Sequence, residues 1–477
     1  MIKLSNQSLE TLEKQDIYVP QYQREGLNPS LVHIGLGAFH RAHYLTFIEK
    51  LMKKGIYKDG VYEIDVIPAK PGFVEDLTSQ DYLYSLLTKD ADGHEELAIR
   101  GGIANYANAS KEPEVVMEVL SRPSTKLITL TVTEKGYCYD SDNQKLDFTN
   151  PAIIKDLKPF ITPSSTVGCL VESLKKRFDT HKTPVTIMSC DNVPQNGNML
   201  KDCVLEFTAK KYPEMVGFVE ENIIFPNTMV DRITPATAPV DIREVENKYD
   251  LHDNCTVHCE DFITFIIEDV KVKEVQMFKE VGAMVVESVL PYELMKIRLL
   301  NGAHSALSYP SYLLGHRNVD EGINDPLIQH FIRDHYMEEI TASLSPVPGI
   351  DLTAYKDKLI SRFSNKYIGD KLLRLASDGS KKIANAIVKP LLEIEEKDSL
   401  ILALAFWAQF LKGKDAQGNI IPIEDPAATV LQEKIRNDAD FMHYLGISDE
   451  KSVAKFSFYK KQIESLGVKA TLEAYLK

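Results

Sequence analysis

Short apolar runs alternate with helical periodicities through the first 285 residues of the chain. The strand-like runs lie at 31–34, 62–67, 82–87, 127–133 and 185–189, with helical patterns at 41–54, 113–120 and 167–178. This alternation predicts a doubly wound, largely parallel sheet with helices on both faces. Beyond residue 285, helical patterns dominate at 292–309, 326–344, 352–363, 398–411 and 452–475. We therefore predict an α/β domain over residues 1–285 and a mostly α-helical domain over 286–477.

The first apolar run ends in a glycine turn, Gly35-Leu36-Gly37, and a helix is predicted after it. A strand, a glycine turn and a helix open the Rossmann-type dinucleotide-binding unit, in which helix N–H groups hold a pyrophosphate. His40 stands where the third glycine of that pattern is expected. A lone GxG is also common before helices that bind nothing. With that alternative open, we assign Gly35, Gly37, Phe39, His40 and Arg41 to a cofactor site.

The end of the second predicted strand bears on the choice of cofactor. NAD-binding units usually carry a carboxylate there for the ribose hydroxyls, whereas the run at 62–67 continues as Pro68-Ala69-Lys70. A missing carboxylate removes repulsion of a 2′-phosphate, and Lys70 is a cation able to pair with one. NAD(H) and NADP(H) are both candidates, and Ala69-Lys70 favours NADP(H). The ordinary alternative is that Lys70 is a surface lysine.

Two polar clusters follow predicted strands, where parallel sheets bind ligands. Thr133-Glu134-Lys135-Gly136-Tyr137 follows the fourth run, and Ser189-Cys190-Asp191-Asn192 follows the fifth. The amide of Asn192 is a candidate donor to an oxyanion. Asp191 and Asn192 are equally good turn and helix-capping residues, so this alternative stays open.

The stretch from Glu293 to His304, ELMKIRLLNGAH, concentrates candidate catalytic groups on one predicted helix. At about 3.6 residues per turn, Lys296 and His304 lie about 80° apart, with Glu293 between them and Asn301 about 60° beyond His304. An amine, an amide and an imidazole without a nearby nucleophile suit proton abstraction from an alcohol. Spacing alone favours the ordinary alternative of a solvated lysine, a turn-capping asparagine and a packed histidine.

Composition limits the classes of partner. The chain has 477 residues, a net charge of -14 and a pI near 5.4, which argues against a nucleic-acid surface. We find no signal peptide and no apolar run of about 18 residues, so we expect a soluble cytoplasmic protein without membrane contact. Six scattered cysteines fit a reducing compartment.

A possible metal site is formed by His252, Cys255, His258 and Cys259, which are all competent zinc ligands. Their spacing matches no common structural zinc pattern, and an apolar run follows directly. We therefore predict no metal.

Several ordered segments resemble the mannitol dehydrogenase family of polyol-specific long-chain dehydrogenases. The segments are HIGLGAFHRAH (33–43), TVTEKGY (131–137), SCDN (189–192), FPNTMVDRITP (225–235), KIRLLNGAH (296–304) and RFSNKYIGDKLLRLASDGS (362–380). The likeness covers nearly the whole chain. It implies a Rossmann-type domain, a helical second domain and zinc-independent polyol or sugar-acid oxidation, and it outweighs the ordinary alternative stated for the helix.

The resemblance also implies residue roles. Lys296 matches the general acid/base, and Asn192 and Asn301 match the amides that hold the developing alkoxide. Further matches are His304 as a substrate-orienting residue, Glu293 at the proton exit, and Asp231, Arg374 and Lys382 as substrate-binding groups. Burial and a cationic nicotinamide are expected to lower the pKa of Lys296 from its usual value near 10.4.

The resemblance favours D-mannitol and D-fructose as the polyol and ketose. A hexuronate reductase acting on fructuronate or tagaturonate is the alternative, and arabinitol or sorbitol also remains open. Family likeness further implies a monomer.

Overall fold

The computed structural model describes residues 1–67, 70–141, 143–159, 162–415 and 417–477. The chain forms two compact units. The first comprises Met1–Lys89 and Glu95–Val289, and the second comprises Asp90–His94 and Leu290–Lys477. The sequence pattern predicted a single boundary near residue 285 and gave no sign that a short upstream segment belongs to the second unit.

The first unit contains the strands and a set of shorter helices. The strands are β1 (Ile2–Lys3), β2 (Leu31–Ile34), β3 (Val61–Asp65), β4 (Tyr84–Lys89), β5 (Glu95–Arg100), β6 (Ile103–Asn108), β7 (Leu127–Leu130), β8 (Tyr139–Asp140), β9 (Lys145–Leu146), β10 (Val185–Ser189), β11 (Ile223–Ile224), β12 (Thr228–Asp231), β13 (Leu251–His252), β14 (Val257–Glu260), β15 (Thr264–Glu268) and β16 (Met284–Val286). The helices are α1 (Leu9–Glu13), α2 (Ala38–Ala42), α3 (Tyr44–Lys53), α4 (Phe73–Ser79), α5 (Pro113–Ser121), α6 (Thr133–Gly136), α7 (Pro151–Asp156), α8 (Thr166–Thr180), α9 (Asn196–Lys211), α10 (Val216–Asn222), α11 (Pro239–Tyr249) and α12 (Lys273–Gln276).

The main sheet is parallel and has the strand order β11-β10-β7-β2-β3-β6. Chain order reverses between β2 and β7, which is the arrangement of a Rossmann fold, and ligands bind such sheets beyond the carboxyl ends of the strands at that point. The predicted doubly wound Rossmann-type domain is therefore confirmed. The predicted run at 185–189 is β10 with the same bounds.

Apolar side chains cover both faces of this sheet, as a parallel sheet requires. Adjacent residues of one strand enter different cores because successive side chains point to opposite faces. One core holds Val32, Ile128 and Ile187 with Leu170 and Leu174 of α8. The other holds Leu31, Leu127 and Met188 with Leu45 and Ile48 of α3.

One predicted strand lies in a different sheet, and two others end early, among them the run at 127–133, which ends at Leu130. The run predicted at 82–87 is β4, which lies in a separate sheet, antiparallel to β5 and parallel to β14. Its apolar residues do not reveal which partner it pairs with. The second predicted strand ends at Asp65 rather than at Ile67, because the β-ladder with β6 stops there.

The second unit is helical, as predicted. Its helices are α13 (Leu290–Met295), α14 (Gly302–Leu313), α15 (Val319–Ile323), α16 (Pro326–His330), α17 (Met337–Thr341), α18 (Leu352–Phe363), α19 (Leu372–Ala376), α20 (Gly379–Ile383), α21 (Lys389–Glu393), α22 (Asp398–Phe410), α23 (Ala428–Lys434), α24 (Asp438–Tyr444) and α25 (Glu450–Tyr475). The side chains of Asp351 and Asp449 accept backbone N–H bonds at the starts of α18 and α25, which fixes where those two helices begin.

Two long helices predicted in this unit are interrupted by π-helical turns. Lys296–Asn301 separates α13 from α14, and Phe331–Tyr336 separates α16 from α17. A further π-turn, Ala384–Val388, joins α20 to α21. Hydrophobic periodicity does not distinguish an i→i+5 turn from an α-helical one, so the sequence pattern predicted continuous helices.

None of the helices in the described ranges combines the length and the apolar character that crossing a bilayer requires.

Candidate functional site

The two glycines of the turn after β2 differ in what surrounds them. Gly35 has φ +107°, and a Cβ there would lie 2.2 Å from the carbonyl oxygen of Thr131, the residue directly after β7. A side chain at Gly35 is therefore excluded by the protein itself. Gly37 precedes α2, and a Cβ built on it would contact nothing within 4 Å. Open space therefore lies beside Gly37 at the start of α2, where a pyrophosphate would meet helix N–H groups.

His40 belongs to a buried cluster beneath this turn. Its Nε2 lies 2.8 Å from Oε1 of Glu63, and its ring stacks on His33 with centroids 3.4 Å apart. Burial lowers the pKa of His40 and raises the pKa of Glu63, which favours a neutral imidazole and a protonated carboxyl. Nε2 of His33 lies 2.8 Å from Oγ1 of Thr131, so the cluster contacts the residue against which Gly35 packs.

The guanidinium of Arg41 is also committed to the interior of the first unit. It donates to the carbonyl of Cys255 and lies over the rings of Phe73 and Tyr84, 4.8 Å and 5.3 Å from their centroids. The side chains of His40 and Arg41 are fully or nearly fully buried. Both side chains thus contact the protein interior, and the assignment of His40 and Arg41 to a cofactor site stays a prediction. Phe39 is half-buried at the same turn.

Asp65 corrects the expectation that no carboxylate ends the second strand. It is the last residue of β3, and its carboxylate accepts the Leu36 N–H at 3.1 Å and the Tyr106 hydroxyl at 3.0 Å. Burial raises its pKa. Asp65 was overlooked because the predicted strand extended two residues too far.

Lys70 is exposed, and Ala69 lies outside the described residues.

Asp191 joins the carboxyl ends of β7 and β10 at the same edge of the sheet. Its carboxylate accepts the N–H groups of Val132 and Thr133, both at 2.9 Å, and the hydroxyl of Tyr137. Thr133 has φ +63°, a conformation that non-glycine residues rarely adopt. The next residue, Asn192, thus follows a residue that is fixed to the segment after β7. The sequence predicted Asp191 only as a turn or capping residue and did not reveal that its carboxylate joins the ends of β7 and β10.

Asn196 connects the loop after β10 to β12. Its amide nitrogen donates to the carbonyl of Asp191 at 3.0 Å and to Oγ1 of Thr228 at 2.9 Å. Asp231, a predicted substrate-binding residue, is buried at the end of β12. Asn192 and Asp231 therefore belong to two segments of the first unit that hydrogen bonds of Asn196 join.

In the second unit, Lys296 begins a π-helical turn that ends at Asn301. The Gly302 N–H donates to the carbonyl of Ile297, five residues earlier. In an α-helix, at about 100° per residue, Asn301 would lie about 140° from Lys296. Because each residue rotates less in a π-turn, Asn301 lies closer to the direction of Lys296, and the predicted angles on a regular helix were wrong.

Three π-turns of the described chain meet around Gly302. A Cβ on Gly302 would lie 2.2 Å from the Tyr336 hydroxyl and 3.0 Å from the carbonyl oxygen of Ala386. Tyr336 and Ala386 belong to the two other π-turns. The absence of a side chain at Gly302 thus allows close packing behind Lys296, which is itself only 6% exposed.

Ring packing, a hydrogen bond and an ion pair fix the neighbours of Lys296. The His304 ring lies 4.5 Å from the Phe363 ring, at the end of α18. Arg298 donates to the carbonyl of Ser343 and pairs with Glu393 at 2.7 Å, which anchors the π-turn. Glu293 is buried in α13, one turn before Lys296.

Arg374 and Lys382, the other predicted substrate-binding residues, lie together after α18. Arg374 is held by the carboxylate of Asp370 through Nε and Nη2, at 2.6 Å and 2.5 Å. Lys382 donates to the carbonyls of Arg374 and Leu375 at 3.3 Å and 3.2 Å. Burial and the neighbouring Arg374 charge lower the pKa of Lys382. Sequence reasoning missed Asp370, although the i, i+4 spacing of Asp370 and Arg374 was a usable signal.

The candidate zinc ligands have separate partners. His252 bonds to Glu246 at 2.6 Å, and the thiols of Cys255 and Cys259 lie near Phe73 and Thr88. Among the described residues, three groups have ligand atoms close enough to hold a metal ion. His258 belongs to one of them, with Asp241 and Glu244, and none contains His252, Cys255 or Cys259.

Two family models match the chain. The model described as the mannitol dehydrogenase Rossmann domain matches residues 29–279, and the model described as the mannitol dehydrogenase C-terminal domain matches residues 288–454.

Individual relatives match over most of their lengths. D-mannonate oxidoreductase of Escherichia coli strain K12 is 36% identical over 87% of this chain and 86% of that enzyme. Mannitol 2-dehydrogenase of Aspergillus fumigatus is 34% identical over 96% of both chains. The solved Pseudomonas fluorescens mannitol 2-dehydrogenase, a ternary complex with NAD and D-mannitol, is 33% identical, with a TM-score of 0.87 over 100% of this chain and 99% of that chain.

Proposed function

Because the chain belongs to the mannitol dehydrogenase family of oxidoreductases, we propose that it transfers a hydride between NAD(P)(H) and a polyol/ketose pair. The pair that we propose is D-mannitol and D-fructose. The observation that carries this proposal is the buried Lys296 on a π-turn shared with Asn301 and followed by His304. The relatives named mannitol 2-dehydrogenase support the choice of substrate.

In the proposed reaction, Lys296 accepts the proton of the substrate hydroxyl during oxidation and returns it during reduction. A neutral amine is required for the first step, and burial disfavours the charged form. The amides of Asn192 and Asn301 donate to the oxygen as negative charge develops on it, and such a donor typically accounts for about 10²- to 10³-fold in kcat. When bound, the nicotinamide supplies or accepts the hydride that is exchanged at C2 of the substrate.

The remaining residues have positioning roles in this proposal. His304, held against Phe363, orients the substrate, and Asp231, Arg374 and Lys382 bind its other hydroxyls. Glu293 lies one turn before Lys296 and passes the proton towards solvent. No metal is assigned a role.

Substrate preference is tested by one activity matrix. We expect NAD(P)H oxidation at 340 nm with D-fructose, and a kcat/KM for D-fructose at least about tenfold above those for fructuronate and tagaturonate, since a tenfold ratio needs only about 1.4 kcal/mol. Sorbitol and arabinitol serve as oxidation controls beside D-mannitol. Turnover restricted to a hexuronate would replace the first proposal with the second.

The second candidate function is a hexuronate reductase. It is favoured by the identity to D-mannonate oxidoreductase, and it would need a cation for the substrate carboxylate, which Arg374 or Lys382 would supply.

Cofactor preference is tested at Lys70. Because this exposed cation follows β3, we expect Lys70→Asp to raise the Kd for NADP(H) about tenfold while changing the Kd for NAD(H) less than about twofold, from one lost ion pair and one added like charge. Fluorescence titration of NADPH and NADH measures both constants. Lys58→Asp, at another exposed lysine, is the matched control. Equal effects on both cofactors would dismiss a 2′-phosphate role for Lys70.

A monomer is expected from the family likeness, and light scattering of the full chain checks it.

A further inference from the structure

Asp370 and Arg374 form an ion pair in which the two partners differ in exposure. The side chain of Asp370 is 8% exposed, whereas that of Arg374 is 56% exposed. Both carboxylate oxygens bond to one edge of the guanidinium, and Oδ1 also accepts the Lys371 N–H at 2.9 Å. The carboxylate therefore lies beneath a cation that faces outward, and its own position is fixed by the backbone.

The ammonium group of Lys382 also has hydrogen-bond acceptors within the protein. Its ammonium group donates to the last carbonyls of α19, where the helix dipole is negative. Asp425 accepts the N–H and hydroxyl of Ser380, both at 2.7 Å, and so anchors the start of α20, which carries Lys382. The two cations are thus held in place by protein groups.

We propose that Asp370 makes the substrate site selective for neutral polyols and ketoses over sugar acids by neutralising Arg374. This proposal rests on the proposed function, in which Arg374 binds substrate. An unpaired arginine offers two N–H edges and a full positive charge to a carboxylate. Here one edge is already used, and the charge of Asp370 opposes any second anion brought to Arg374. Neutral hydroxyl groups still bond to the remaining N–H groups without this repulsion.

Asp370 acts through Arg374, so it is a positioning residue, and its charge is the quantity to change. In Asp370→Asn, the ratio of kcat/KM for fructuronate to kcat/KM for D-fructose is expected to rise about tenfold, mainly through a lower KM for fructuronate. Asp370→Ser is expected to give the same direction. Asp370→Glu keeps the charge and is expected to leave the ratio within about twofold of the wild type. Raising the salt concentration to about 1 M should reduce the gain, since the Debye length then falls to about 3 Å, close to the contact distance of two charges.

The matched control is Asp357→Asn, which removes the carboxylate from another aspartate–arginine pair of the second unit, formed with Arg333 at 2.8 Å. It should leave the ratio unchanged. An unchanged ratio in Asp370→Asn and Asp370→Ser with wild-type melting temperatures would overturn the proposal. Loss of folding in both neutral variants would also overturn it, because the carboxylate would then be a structural anchor. A wild type that reduces neither sugar contradicts the proposed function instead, so the two failures are distinguishable.

Discussion

Replacing Lys296 with alanine is expected to lower kcat by about 10²- to 10⁴-fold, the usual contribution of general acid–base catalysis. Lys296 is buried on the π-turn with Asn301, and the described residues around it offer no second amine on that turn. Binding of the nicotinamide cofactor should be retained, because the glycine turn that we assign to the pyrophosphate lies in the first unit. Stopped-flow absorbance at 340 nm gives kcat, and fluorescence titration gives the cofactor Kd.

Two further variants make this experiment decisive. Lys296→Met keeps most of the buried side-chain volume, so its loss of kcat reports the amine rather than a cavity. Lys461→Ala removes an exposed lysine from α25 and should leave both constants unchanged. Residual activity of Lys296→Met above about a tenth of the wild-type value would assign proton transfer to another group.

Gly35→Ala is expected to lower the free energy of unfolding of the first unit by about 3 kcal/mol. A non-glycine residue at positive φ costs about 1–3 kcal/mol, and overpacking adds about 1–3 kcal/mol. The clash is with the Thr131 carbonyl oxygen, 2.2 Å from the added Cβ, so no flexible side chain can yield. Urea unfolding followed by circular dichroism measures the change.

Gly37→Ala is the matched control for that variant. Its Cβ meets open space and its φ is -89°, so stability should change by less than about 0.5 kcal/mol. If a pyrophosphate approaches the start of α2, the added methyl group should still weaken cofactor binding. Equal destabilisation by both variants would contradict the assignment of the clash to Thr131.

The part of the fold that depends on local pattern was predictable. β10 and α18 have the bounds that their periodicity predicted, because each is a complete apolar run or amphipathic segment between clear stops. The glycine turn was found for the same reason. The pairing of β4 with β5 and β14 was not predictable, since a strand's partner is a tertiary property.

The candidate site was predictable in its residue types but not in its supports. Lys296, Asn301 and His304 stand in one short stretch, whereas the π-turn that reorients them depends on packing at Gly302 against Tyr336. Asp65 was overlooked because a strand end was placed two residues late. These errors involve backbone geometry and long-range contacts, which spacing along one chain does not encode.

The π-turn also sets a limit on how this protein can be stabilised. Substitutions that closed Lys296–Asn301 as an ordinary α-helix of the same length would turn Asn301 to about 140° from Lys296. Selection for thermal resistance alone would not detect that change, although the amine would then leave the side of the helix that carries the amide. In the proposed reaction the wide turn is therefore part of the chemistry, and a variant library for this protein should leave its residues unchanged.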